Sequence, residues 1–97
     1  YQNRLSRLPR QIGRLILLRE LVAKDNRIEE LPESIGGLTH LEYLVLDGNR
    51  ITSLPESIVA LRSLRTLRLQ RNPLGPLSPA VEEWLAAVAA AGTLVSR

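Results

Sequence analysis

The sequence predicts an α/β solenoid. Parallel strands line the inside of an arc, short helical or 3₁₀ turns form its convex side, and a helix caps its C-terminal end. Two observations carry this expectation. First, asparagine recurs every 23 residues, at Asn3, Asn26, Asn49 and Asn72. Aliphatic columns share that period: Leu8, Leu31, Leu54 and Leu77; Ile12, Ile35, Ile58 and Val81; Leu15, Leu38 and Leu61 with Trp84 as fourth member. A fixed period of this length means one supersecondary unit stacked on copies of itself. Second, hydrophobic spacing switches inside each unit from steps of 2 to steps of 3 and 4. The first spacing is that of a strand and the second that of a helical turn.

The strand segments come first in each unit. In Leu41-Glu42-Tyr43-Leu44-Val45-Leu46-Asp47, Leu44 and Leu46 alternate with Tyr43, Val45 and Asp47. One face is therefore buried and the other presented. Leu18 to Lys24 and Leu64 to Gln70 repeat the pattern. After each strand the chain turns inward and leaves backbone groups without ladder partners, at about 1–3 kcal/mol per buried unpaired group. An asparagine side chain both donates and accepts. Stacked asparagines are therefore expected to satisfy these turns.

The convex segments follow: Leu8-Pro9 to Leu15, Leu31-Pro32 to Leu38, and Leu54-Pro55 to Leu61. Proline fixes one φ and brings no N–H to leave unpaired. Gly36 and Gly37 argue against a long helix. The fourth copy decays after Leu77. Ser78 suits an N-cap and Pro79 the first helical position, with Glu82 and Glu83 near the positive end of the dipole. Ala80 to Ala91 is rich in helix formers, and Gly92 is a stop. Val81, Trp84, Leu85 and Val88 form one apolar stripe. The expected organisation is repeats over residues 1–77, about three full units behind a truncated first one. A capping helix over 78–92 and a fraying tail over 93–97 complete it.

Composition narrows the function. Aromatics make up 3% of the 97 residues, so the core is aliphatic. There is no cysteine, hence no disulfide framework and no thiolate metal site. This favours a reducing, cytoplasmic compartment, or a secreted fold that needs no staples. No apolar run approaches the roughly 20 residues of a membrane span. The net charge is +3, and Lys24 is the only lysine beside twelve arginines. Arginine suits phosphate, but these arginines are interleaved with Asp25, Glu29, Glu30 and Glu33, so nucleic acid is not the expected partner. His40 is the single histidine, no Gly-rich phosphate loop occurs, and Glu29-Glu30 and Glu82-Glu83 point apart rather than converge. The expectation is a chain that is not an enzyme and takes no cofactor or metal.

The residues L-x-x-L-x-L-x-x-N-x-L, followed by the Leu-Pro-x-x-Ile-x-x-Leu segments, resemble the leucine-rich repeat proteins, in the 23-residue class, over roughly residues 3 to 77. Similar repeats occur in intracellular scaffolds of Ras signalling, Roco-type GTPases and bacterial effectors. The resemblance implies a right-handed arc whose concave sheet binds another protein, and it carries no catalytic residue. The main expectation is a protein-interaction module. The alternative is a substrate-targeting or regulatory arm of a larger enzyme.

With strands in register, residues 23 apart stand side by side. The outward positions then form three columns: Glu20, Tyr43 and Thr66; Val22, Val45 and Arg68; Lys24, Asp47 and Gln70, with Tyr1 preceding Lys24. These nine repeat positions are the candidate partner-binding residues. Tyr and Arg are favoured at interface hot spots. Strand propensity also accounts for Tyr43, Val22 and Val45, so the weight rests on the face as a whole. Arg19, Glu42 and Arg65 should pair across strands, as should Arg10 and Glu33. Arg4, Arg27 and Arg50 form a like-charge column expected to be solvated. Ile16 and Leu17 stand where later copies carry Thr39-His40 and Arg62-Ser63. They point to contact with upstream repeats or a second chain.

Overall fold

The computed structural model describes residues 7–96; Tyr1, Asn3 and Arg4, invoked above, lie outside them. Four parallel strands form one sheet in chain order: β1 (Glu20–Val22), β2 (Tyr43–Val45), β3 (Thr66–Arg68) and β4 (Leu94–Ser96). Glu20 stands opposite Tyr43 and Tyr43 opposite Thr66, the register set by the 23-residue period. Leu44, Leu46, Leu67 and Leu69 project to the inside of the sheet and are fully buried.

Three 3₁₀ turns run along the opposite side, Arg10–Arg14, Glu33–Gly37 and Glu56–Ala60. Each follows a proline at φ −68° and buries one isoleucine: Ile12, Ile35 or Ile58. Their stacking explains the glycines. A Cβ at Gly36 would stand 2.6 Å from the Ser57 carbonyl oxygen, and one at Gly13 would stand 2.6 Å from that of Ser34. The serine hydroxyls fasten the turns together: Ser34 Oγ donates to the Arg10 carbonyl at 2.7 Å and Ser57 Oγ to that of Glu33 at 2.6 Å. The third unit carries Val59 at the glycine position and leaves it exposed. A helix rather than another 3₁₀ turn follows it.

The asparagines form the expected ladder. Asn49 Nδ2 donates to the carbonyls of Ala23 (3.0 Å) and Leu46 (2.8 Å), and its Oδ1 accepts from the Ile28 amide at 3.1 Å. Asn72 repeats this with Leu46, Leu69 and the Ile51 amide. Asn26 donates to Ala23, but its buried Oδ1 has no partner among the described residues.

The C-terminal helix α1 spans Pro79–Ala90, and Ser78 Oγ accepts from the Val81 amide at its start. Val81, Trp84 and Leu85 are buried over the third unit, and Trp84 Nε1 donates to the Leu61 carbonyl at 3.3 Å. The helix ends with Gly92 at φ +106°. The Gly92 amide bonds back to Ala89 and the Thr93 amide to Val88, the paired bonds of a left-handed helix stop.

The expected tail is corrected over Leu94–Ser96, which is β4. The Leu94 amide donates to Arg65 (2.9 Å), and Ser96 accepts from the Leu69 amide (2.6 Å). Leu94 stands opposite Thr66, an offset of 28 residues in place of 23. An α-helix rises only about 1.5 Å per residue, so α1 spends more residues crossing the layer than the short turns do. The fourth strand therefore falls out of the repeat frame.

Candidate functional site: the concave sheet face

The strand register brings together eight of the nine face residues named from sequence. Glu20, Val22, Arg68 and Gln70 are exposed, and Lys24, Tyr43, Val45 and Thr66 are half-buried. Val22 keeps 48% of its surface open to water although it sits within a strand.

Asp47 is the correction. It is only 4% exposed. Its Oδ2 accepts from Arg68 Nε and Nη2, each at 3.0 Å, and its Oδ1 accepts from the Gln70 amide at 3.2 Å. The carboxylate is thus consumed inside the face. In exchange, it fixes the guanidinium of Arg68, which remains about half exposed. A charge-assisted pair of this kind removes rotamer freedom before any partner arrives.

The flank behaves as expected in two places and differently in one. Glu42 lies between Arg65 (3.2 Å) and Arg19 (3.8 Å). Arg10 and Glu33 make no ion pair; their carbonyls accept the serine hydroxyls instead. Arg27 and Arg50 are exposed, and Asp25 pairs with Arg71 at 3.4 Å, two units away. That span crosses Gly48. Asp25, Gly48 and Arg71 occupy one column, all in the left-handed region at φ 58°, 73° and 61°. A side chain at Gly48 would strike the Asp25 carboxylate.

Sequence reasoning missed Leu94. It extends the Glu20–Tyr43–Thr66 column and is 70% exposed. Its neighbour Ser96 extends the Val22–Val45–Arg68 column. The signal was the alternation Leu94-Val95-Ser96, with Val95 inward beside Leu67, but it lies off the 23-residue frame. The assembled surface thus combines apolar side chains, a tyrosine, a held arginine and flanking charges of both signs. His40 lies apart on an exposed turn. Among the described residues no three His, Cys, Asp or Glu side chains could share a metal ion, and no helix is long and apolar enough to cross a membrane.

This geometry is that of a known class. The family profile described as a leucine-rich repeat region matches residues 2–83, and the chain belongs to the leucine-rich repeat family. No curated protein sequence matches it significantly. Among solved structures it is similar to a leucine-rich repeat protein of Leptospira interrogans, LIC12759, with 32% identity and a TM-score of 0.81. The match covers 98% of this chain and 23% of that one. It is also similar to the leucine-rich repeat domain of the type III effector XCV3220 (XopL), with 36% identity, a TM-score of 0.70, and 78% and 29% coverage. The chain therefore spans about a quarter of the length of these structures. The fold serves in general as a non-catalytic platform for binding proteins.

Proposed function

We propose that the chain is a protein-interaction module that seats its partner on the concave sheet face. The observation that supports this reading is the exposed Val22 and Leu94, with the half-buried Tyr43 and Val45 between them, around an arginine already fixed by Asp47. Strand side chains facing open water are ordinarily polar. Rigid aromatic and arginine side chains are the groups that anchor interfaces at small entropic cost. The test is capture from the native source with Tyr43→Ala/Arg68→Ala, against Arg62→Ala on the far side. Loss of at least tenfold in capture by the face variant alone supports the reading. Equal capture by all three proteins refutes it.

A second reading is a targeting arm of a longer protein. It is favoured by the coverage of about a quarter of each solved relative, one of which is a type III effector. The open reading frame around this segment decides it. A flanking catalytic domain supports the arm, and a frame limited to these 97 residues removes it.

A further inference from the structure

We infer that the occupant of the concave face is an acidic protein segment, carrying an apolar residue between carboxylates that meet three arginines of the third unit. The inference rests on the concave-face reading and names the chemistry that the face takes. Its arginines and its apolar floor lie in the second and third units, where β2 and β3 each have a neighbouring strand on both sides.

Arg65, Arg68 and Arg71 cross the width of the third unit at steps of three residues. Each reaches back toward an acid of an earlier unit. Arg65 Nε lies 3.2 Å from Glu42 Oε1. Arg68 gives both Nε and Nη2 to Asp47 Oδ2, each at 3.0 Å. Arg71 Nη2 passes Gly48 to donate to Asp25 Oδ1 at 3.4 Å. The three heads therefore gather around β2 rather than spreading along β3. The acids fix where the heads stand, yet the arginine side chains stay 72%, 48% and 67% exposed. Between Glu42 and Asp47 lie Tyr43 and Val45, the half-buried outward residues of β2. The result is an apolar floor bordered by oriented guanidinium groups.

A guanidinium offers five N–H groups in a planar fork that matches a carboxylate. Asp47 takes the Nε side of Arg68, which leaves Nη1 oriented for an outside acceptor. Arg65 and Arg71 are more open still. Holding the donors in place beforehand lowers the entropic cost of binding. Glu42 and Asp47 are five residues apart, or about 16 Å of extended chain. An extended segment above β2 meets both borders with carboxylates about four to six residues apart on one face. An apolar side chain between them settles on Tyr43 and Val45 and keeps water from the ion pairs.

Charge complementarity favours an acidic occupant. The strand and turn segments 19–27, 42–50 and 65–73 hold seven basic and four acidic residues. The rest of the sequence balances at six and six, so the net charge of +3 belongs to the strand side. Nucleic acid is the competing polyanion. Its affinity comes from uncompensated cations that release counterions, whereas each of these three guanidinium groups already shares its charge with a carboxylate. Directed N–H donors around an apolar floor suit a side-chain carboxylate beside an apolar residue instead.

The test is fluorescence anisotropy of the whole chain with three labelled probes. One is a short peptide with leucine midway between two pairs of glutamates, the second is the same peptide with glutamine for glutamate, and the third is single-stranded oligothymidine. The acidic peptide should bind, and the glutamine peptide should bind at least about tenfold more weakly. Arg65→Ala and Arg71→Ala, at exposed arginines outside the core, should each weaken the acidic peptide about twofold to fivefold. Arg68→Lys should weaken it about tenfold, because an ammonium cannot hold Asp47 and present a second edge at once. Thermal melting checks that the variants remain folded. Equal affinity for both peptides overturns the inference. So does the absence of saturable binding up to about 1 mM, tighter binding of oligothymidine, or arginine variants that all bind like the parent. The capture experiment separates this outcome from the face reading. Capture still lost in Tyr43→Ala/Arg68→Ala keeps the face and discards the acidic occupant, whereas equal capture discards the face itself.

Discussion

Replacing Trp84 with alanine should unfold or aggregate this protein. Trp84 is 8% exposed and stands over the third unit in the column of Leu38 and Leu61. Large-to-small changes at such a site cost about 3–5 kcal/mol. The lost indole also leaves the Leu61 carbonyl without its Nε1 donor, and a buried unpaired group adds about 1–3 kcal/mol. A domain of this size has about 5–15 kcal/mol in all, so the change removes a large share of it. With about 4–8 °C per kcal/mol for a chain this short, the packing term alone lowers the melting temperature by at least about 12 °C. Trp84→Phe separates the contributions, since it keeps most of the packing and loses the hydrogen bond, so its cost should be about 1–3 kcal/mol. Trp84 is the sole tryptophan, so far-UV circular dichroism rather than fluorescence must follow unfolding of both variants. A Trp84→Ala protein that melts like the parent would show that α1 does not cap the array.

Other expectations follow from the same packing. Asn49→Ala strands the Ile28 amide and should cost about 1–3 kcal/mol in urea unfolding, while the Ala23 and Leu46 carbonyls keep Asn26 and Asn72 as donors; Asn26→Ala should cost less, its Oδ1 having no described partner. Gly36→Ala drives a methyl group to 2.6 Å from the Ser57 carbonyl and should destabilise by about 1–3 kcal/mol, whereas Val59→Ala, at the open member of that column, should stay within about 0.5 kcal/mol. Tyr43→Ala should shift the melting temperature by only a few degrees, because its side chain is half open to water. A loss as large as that of Trp84→Ala would make Tyr43 a structural residue rather than a binding one.

The period made most of the fold legible. Each strand residue predicts its neighbour 23 positions on, and Glu20, Tyr43 and Thr66 stand in that order. The asparagine ladder and the Ser78 cap were readable for the same reason, since short-range bonds depend on residue type and spacing. Three features were not. β4 lies off the frame because α1 replaces a 3₁₀ turn. The burial of Asp47 depends on a diagonal partner 21 residues away, whereas the column logic places Gln70 beside Asp47 and Val45 beside Arg68. Gly36 and Gly37 read as helix breakers, and only the stacked turns reveal that backbone approach excludes a side chain at Gly36 and at Gly13.

The claim that the concave sheet is the binding face is tested most directly by hydroxyl-radical footprinting of the chain with and without its captured partner. Labelling should fall at Val22, Tyr43 and Leu94 and stay unchanged at Val59 and at Ile16 and Leu17 of the first unit. Protection of Val59, Ile16 and Leu17 with the three sheet residues still reactive would contradict the account and move the binding surface off the sheet.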